Sequence, residues 1–271
     1  MAELYGSDAY SPAEIARRVE IVGEAKARMS LLPLALLGVL AGAFIGLGAM
    51  LFVLVKSDPT LGFAASAVLG GLVFSLGLFM VVVAGAELFT GNNLIVMAWA
   101  DGRVSTGQVL RNWAIVCAAN FVGAAGLALL VWASGHTSLN GGAIGHKVVQ
   151  MAVAKQELPF VTALLRGVLC NVLVCMAVWM AMGGRSVTDK AVAVVLPVMA
   201  FVAAGFEHSI ANMYLMPLAM LLQHGGLTGH TAVTWSGMWG NLLPVILGNV
   251  VGGALWVAGV YHVIYKRQPS T

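Results

Sequence analysis

Charge is what this sequence has least of. Asp, Glu, Lys and Arg make up 9% of its 271 residues, where a soluble globular domain carries about 25%. Hydrophobic residues reach 60% and the mean hydropathy is +0.92. So few charges cannot cover the surface of a soluble enzyme, and a net charge of +3 gives no basic footprint for nucleic acid. The excess of apolar side chains also excludes disorder. Cysteine is scarce too. Cys117, Cys170 and Cys175 lie inside apolar runs without CxxC spacing or a neighbouring His pair, so neither a disulfide framework nor a metal site is indicated. Residues 1–30 mix charged and apolar groups and lack the apolar core of a signal peptide. Absent as well are G-x-S-x-G and H-E-x-x-H, which leaves no motif for an intramembrane hydrolase. What is left is a multi-pass membrane protein with no expected cofactor and no catalytic residues.

About 20 apolar residues span a hydrocarbon core. Six segments qualify: Leu31 to Val55, Leu61 to Ala100, Trp113 to Ala133, Pro159 to Met182, Ala191 to Leu222 and Met238 to Tyr261. The second and fifth are too long for one simple crossing and are interrupted by polar residues. Lipid tolerates such interruptions only where protein or a water-filled cavity surrounds them. Ahead of the first segment, Ser11-Pro12-Ala13-Glu14 spells a capping box with Pro at the first helical position. Ile15, Val19 and Val22 then recur opposite Arg17, Arg18, Glu20 and Glu24, predicting an amphipathic helix on the membrane surface or on the protein's own base. The expected layout is a cytoplasmic amphipathic segment over 1–30, one transmembrane domain over 31–262 and a cytoplasmic tail over 263–271.

Six crossings put both termini on one side. Placing them inside leaves four of the 14 basic residues outside, Lys56, Lys147, Lys155 and Arg166, as the positive-inside tendency requires of a plasma (inner) membrane protein. Trp113, Trp132, Trp239 and Tyr261 end spans and read as interfacial anchors. His136, His146, His224 and His230 fall in outer loops, and His262 at the inner end of the last span, where solvated side chains are expected. Gly38, Gly42 and Gly46 form a small-residue stripe, suited to close packing within the chain or to a subunit contact.

The two broken segments echo each other. Ala84-Gly85-Ala86-Glu87 with Asn92 is matched by Ala204-Gly205-Phe206-Glu207 with Asn212, every pair 120 positions apart. Asn112, Asn120 and Gly123 find Asn241, Asn249 and Gly252 at an offset of 129. Three spans answer three, so the halves face opposite ways: an inverted repeat whose discontinuous helices meet near the midplane, the sequence pointer to a transport site. Glu87 and Glu207 are the two carboxylates deep in apolar sequence, where each costs ~2.5–3.5 kcal/mol on insertion scales. They either accept from amides freed by the helix breaks or contact a proton or substrate.

Several strings resemble the formate/nitrite transporter family, and within it the formate channels. They are Ala41-Gly42-Ala43-Phe44-Ile45-Gly46-Leu47-Gly48, Glu87-Leu88-Phe89-Thr90-Gly91, Asn171 to Met180, Gly205-Phe206-Glu207-His208-Ser209-Ile210-Ala211-Asn212-Met213, and Asn241-Leu242-Leu243-Pro244 running into Gly248-Asn249. The resemblance implies an all-α, aquaporin-like fold of six helices, with helices 2 and 5 broken, assembled as a homopentamer with one pore per protomer. It implies a small anion such as formate as substrate, with nitrite, hydrosulfide or a short-chain monocarboxylate as alternatives. It also implies a central pore histidine at His208, a partner at Thr90, polar groups biasing that histidine at Lys147, Asn171, Glu207 and Asn212, and apolar constrictions at Leu78, Leu88, Phe89, Phe74, Phe201 and Val174. No Asn-Pro-Ala tripeptide occurs, which sets the chain apart from water channels.

An anion in a dry pore faces an idealised desolvation barrier of ~20 kcal/mol. Fixed positive charge and helix N-termini aimed at the pore reduce it, and so does protonation of a weak-acid anion. An imidazole, with its ordinary pKa of ~6.5, is suited to sharing a proton with such an anion.

Overall fold

The structure, a computed structural model, describes residues 8–266; positions 267–271 of the expected tail lie outside the described residues. Helix α1 (Pro12–Arg28) begins as its sequence dictates: the Ser11 side chain accepts from the Glu14 amide while the Glu14 carboxylate accepts from the Ser11 amide. Those hydrogen bonds from the Ser11 backbone and hydroxyl hold the Glu14 carboxyl below its ordinary pKa. Ile15, Ala16 and Val19 are buried against Leu94, Met97, Trp179 and Val257, so α1 packs on the protein itself.

Next come α2 (Leu31–Lys56), α3 (Phe63–Met80), which widens into a π turn over Val81–Gly85, and, after a break, a 3-10 turn (Gly91–Ile95) leading into α4 (Val96–Ala100). Helix α5 (Thr106–Ala133) completes the first half. The second half runs through α6 (Ala143–Gln156), α7 (Phe160–Gly183), α8 (Val187–Ala203), a second break, α9 (Ser209–His224), α10 (Trp235–Val250), a π segment (Val251–Gly259) and α11 (Val260–Lys266). Among the described residues, five helical stretches are long and apolar enough to cross a membrane. The expected fifth crossing is split into α8 and α9, of 17 and 16 residues.

Packing repeats as the sequence does. Helix α2 lies against α3 and α5, and α7 lies against α8 and α10. The close approach needs residues without a side chain. A Cβ at Gly42 would strike the Asn120 carbonyl, one at Gly123 the Val39 carbonyl, and one at Gly252 the Val168 carbonyl. The stripe containing Gly38, Gly42 and Gly46 therefore packs inside the chain, onto α5 and α9.

Helix limits differ from the hydropathic segments in a systematic way. The third and sixth crossings start at Thr106 and Trp235, several residues before Trp113 and Met238, because Ser105 and Thr234 supply N-caps that hydropathy does not register. At the other end α11 continues to Lys266, past the tail boundary expected at 262.

Candidate functional site

The site grows from two backbone breaks. At the first, Gly85 takes φ +84°, and at the second Gly205 takes φ +71°, left-handed values that favour glycine. Each ends its helix with the same contact: the Ala86 amide donates to the Val81 carbonyl and the Phe206 amide to the Phe201 carbonyl, both at 3.0 Å. The next residue turns back to another helix, Glu87 to the Leu37 carbonyl (3.2 Å) and Glu207 to the Arg166 carbonyl (3.3 Å).

Buried backbone left without partners costs ~1–3 kcal/mol per group, and here asparagines supply the partners. Asn120 accepts from the Phe89 amide (2.9 Å) and donates to the Glu87 and Gly38 carbonyls (2.9 and 2.7 Å). Asn249 repeats this with the Ser209 amide (3.1 Å) and the Glu207 and Gly167 carbonyls (3.1 and 2.9 Å). Both side chains are fully buried. Asn120→Leu, which leaves the Phe89 amide unpaired, is expected to lower stability by about 1–3 kcal/mol, measurable as an earlier thermal unfolding midpoint in detergent.

The glutamates therefore do not cap the freed amides. Each carboxylate faces a lysine and an asparagine. Lys26 donates to Glu87 at 2.7 Å, and Lys155 donates to both oxygens of Glu207 at 2.8 and 2.9 Å. Asn92 and Asn212 each donate to their glutamate at 2.7 Å. Behind them Asn112 and Asn241 accept from those amides and donate to the Lys26 and Lys155 carbonyls. Lys26 and Lys155 stand 129 positions apart, the offset of the asparagines, so α6 is the counterpart of α1. The repeat comprises four elements in each half, and the surface helix is one of them.

Past the breaks, two short helices begin face to face. The 3-10 turn over Gly91–Ile95 has Thr90 at its N-cap, and α9 has His208. These two caps touch: Thr90 Oγ1 lies 3.2 Å from His208 Nε2, with both residues buried. His208 Nδ1 accepts from the Ala211 amide at 3.2 Å, so in the neutral ring the proton sits on Nε2, aimed at Thr90. A second proton enters only at Nδ1, at the expense of that cap.

Two cavities lie near this contact, one lined by Leu88 and Gly91 on either side of Thr90 and the other by His208 itself. One, of about 350 Å³, is lined by Arg18, Lys26, Glu87, Leu78, Leu88 and Lys190 among others. The other, of about 130 Å³, is lined by Lys155, Glu207, Phe74, Phe201 and His208 among others. The Phe201 ring stacks on the imidazole with centroids 5.9 Å apart, and the Phe74 ring meets both edge-on. Phe74 and Phe201 thus line the cavity that contains His208, and Leu78 and Leu88 line the other.

Most of the residues expected at the site meet there. Asn171 donates to the Thr90 carbonyl (3.2 Å) and the Asn249 carbonyl (2.6 Å), at a point where a Cβ on Gly253 would collide with its amide. Thr90 and Asn171 line neither cavity but meet at the cap contact itself, and three more of the expected residues line neither cavity. Phe89 packs edge-on against Trp113, Val174 is buried in the core, and Lys147 donates to Gln150 on its own helix. The cation facing Glu207 is Lys155.

A family model described as formate/nitrite transporter matches residues 13–263. The chain belongs to this family. Among curated relatives, the formate channel FocA of Escherichia coli (strain K12) is 39% identical over 96% of both chains. The uncharacterized transporter YrhG of Bacillus subtilis is 36% identical, covering 95% of this chain and 94% of that one. Among solved structures, a pentameric formate channel with formate bound superposes with a TM-score of 0.77 at 34% identity, over 86% of this chain and 97% of that one. An FNT family ion channel gives 0.82 at 30% identity, over 93% and 98%. This family member is a transport protein rather than an enzyme, and its helical, twice-broken architecture is that of the solved channels.

Proposed function

We propose that this chain is a homopentameric channel for small monovalent anions, formate foremost, in the inner membrane with both termini cytoplasmic. The observation that carries the reading is the buried Thr90–His208 contact, set between two cavities with apolar rings on one side and leucines on the other. The formate bound in the pentameric neighbour and the formate channels among the relatives support it.

In this reading an anion passes between a cavity where Arg18, Lys26 and Lys190 outnumber Glu87 and one where Lys155 is balanced by Glu207, leaving water at Leu78 and Leu88 or at Phe74 and Phe201. It then meets the Nε2 proton of His208 and the Thr90 hydroxyl, the donors available to a carboxylate in the dry stretch. Sharing that proton spreads the anion's charge where no water can. Asn171, Glu207 and Asn212 fix the polarity around the ring, with Lys155 in the part expected of Lys147. Helix α1 belongs to the channel unit through Lys26. Uptake into proteoliposomes of formate, nitrite and hydrosulfide at two external pH values tests this: formate is expected to enter fastest, and faster in acid. Absence of formate entry above protein-free vesicles overturns the reading.

A further inference from the structure

His146 and His230 take no part in the channel, yet their rings face each other. Nδ1 of His146 lies 3.1 Å from Nε2 of His230, with ring centroids 5.4 Å apart. They come from different elements. His146 sits in the first turn of α6, and His230 in the connection between α9 and α10. That connection is already moored along α6: Gln156, at the far end of the helix, donates to the Ala232 carbonyl at 2.9 Å and accepts from the Thr234 amide at 3.2 Å. Gln223 holds it from the α9 side through Thr231 and Val233. The backbone immediately after His230 is therefore tied at residues 231 to 234, and His146 is exposed to solvent.

A metal bound to two imidazoles at ~2.0–2.1 Å from each nitrogen holds those nitrogens about 3 Å apart at near-square or tetrahedral angles. The observed separation of 3.1 Å falls at that distance. We propose that His146 and His230 form a two-nitrogen chelate for a borderline divalent cation such as Cu2+, Ni2+ or Zn2+. Imidazole donors favour these ions over Mg2+ or Ca2+. Among the described residues the one cluster of three or more metal-ligating side chains lies elsewhere, at Glu20, Asp101 and His262, so water completes the coordination at the His pair. Neutral imidazoles are required, and the ion is released as acid protonates them. Bound metal replaces the single shared proton by a cross-link between the α9–α10 connection and α6, the helix that carries Lys155 to Glu207.

The test uses full-length protein in detergent without a polyhistidine tag, titrated with Cu2+ and followed by electron paramagnetic resonance and by thermal unfolding. The expected result is a Cu2+ signal with hyperfine structure from two nitrogens and a higher unfolding midpoint, reversed by chelator and lost in acid. His146→Ala and His230→Ala are each expected to weaken binding roughly a hundredfold, since one arm of a chelate is gone, while His136→Ala and His224→Ala keep it. Unchanged metal-free unfolding midpoints verify that the variants are folded, with His146→Asn as the substitute should the alanine variant misfold. Cu2+ binding of equal strength in wild type and the His146→Ala/His230→Ala double variant overturns the proposal. So does a wild-type protein that gives no two-nitrogen signal.

Discussion

Formate uptake by a His208→Phe variant is expected to fall by tenfold or more and to lose its response to external acidity. The ring shape survives, and Phe can stack on Phe201 as the imidazole does, at 5.9 Å. The Nε2 donor aimed at Thr90 does not. A hydrogen bond to a charged group contributes ~1.5–3 kcal/mol, and every ~1.36 kcal/mol added to the barrier slows passage tenfold. Phe also removes the acceptor that caps the Ala211 amide, so His208→Asn is the companion variant. Asn is a favoured N-cap and keeps a donor but has no ring proton to share with an anion. It is expected to retain most of the flux while losing the pH dependence. Acid-stimulated formate uptake preserved in both variants would remove His208 from the mechanism.

The second large effect is on stability. Lys155→Met is expected to destabilise the folded protein by about 3–5 kcal/mol, because it strands a buried carboxylate. Glu207 is 3% exposed, and without the ammonium its remaining side-chain donor is Asn212. Adding Glu207→Gln to the same chain is expected to restore most of the loss, since the amide is neutral and can still accept from Asn212. Lys26→Met is expected to behave alike through Glu87, with a smaller penalty because its side chain is 24% exposed against 18% for Lys155. Thermal unfolding in detergent across the four variants reads this out. Additive losses from Lys155→Met and Glu207→Gln would mean the pair is not coupled.

The two breaks, their glycines and both glutamates were legible as echoes 120 positions apart, and so were the asparagine pairs at an offset of 129. What the asparagines do was not legible. An echo says two positions face equivalent surroundings, and only the fold shows that Asn120 and Asn249 reach back across the breaks to the freed amides. The cation that meets Glu207 was not legible for a related reason. Lys147 and Lys155 share α6 but lie eight residues apart, about 12 Å along the axis, and composition alone does not tell which meets a carboxylate 52 residues further on. The offset held the answer: 129 positions before Lys155 stands Lys26, and Asn112 and Asn241, at the same offset, donate to the carbonyls of these two lysines. Phe89 was named for the string it belongs to, yet at the break its ring turns to Trp113, away from the cavities lined by Leu88 on the one side and His208 on the other.

The proposed passage has a definite place, where the two helix caps touch. An electron cryo-microscopy map of the protein in lipid nanodiscs with saturating formate measures this directly. The account expects density for one formate within about 3 Å of His208 Nε2 and Thr90 Oγ1, between the rings of Phe74 and Phe201 and the side chains of Leu78 and Leu88. Formate density confined to some other passage, with Thr90 and His208 still in contact and sealed from it, would contradict the account.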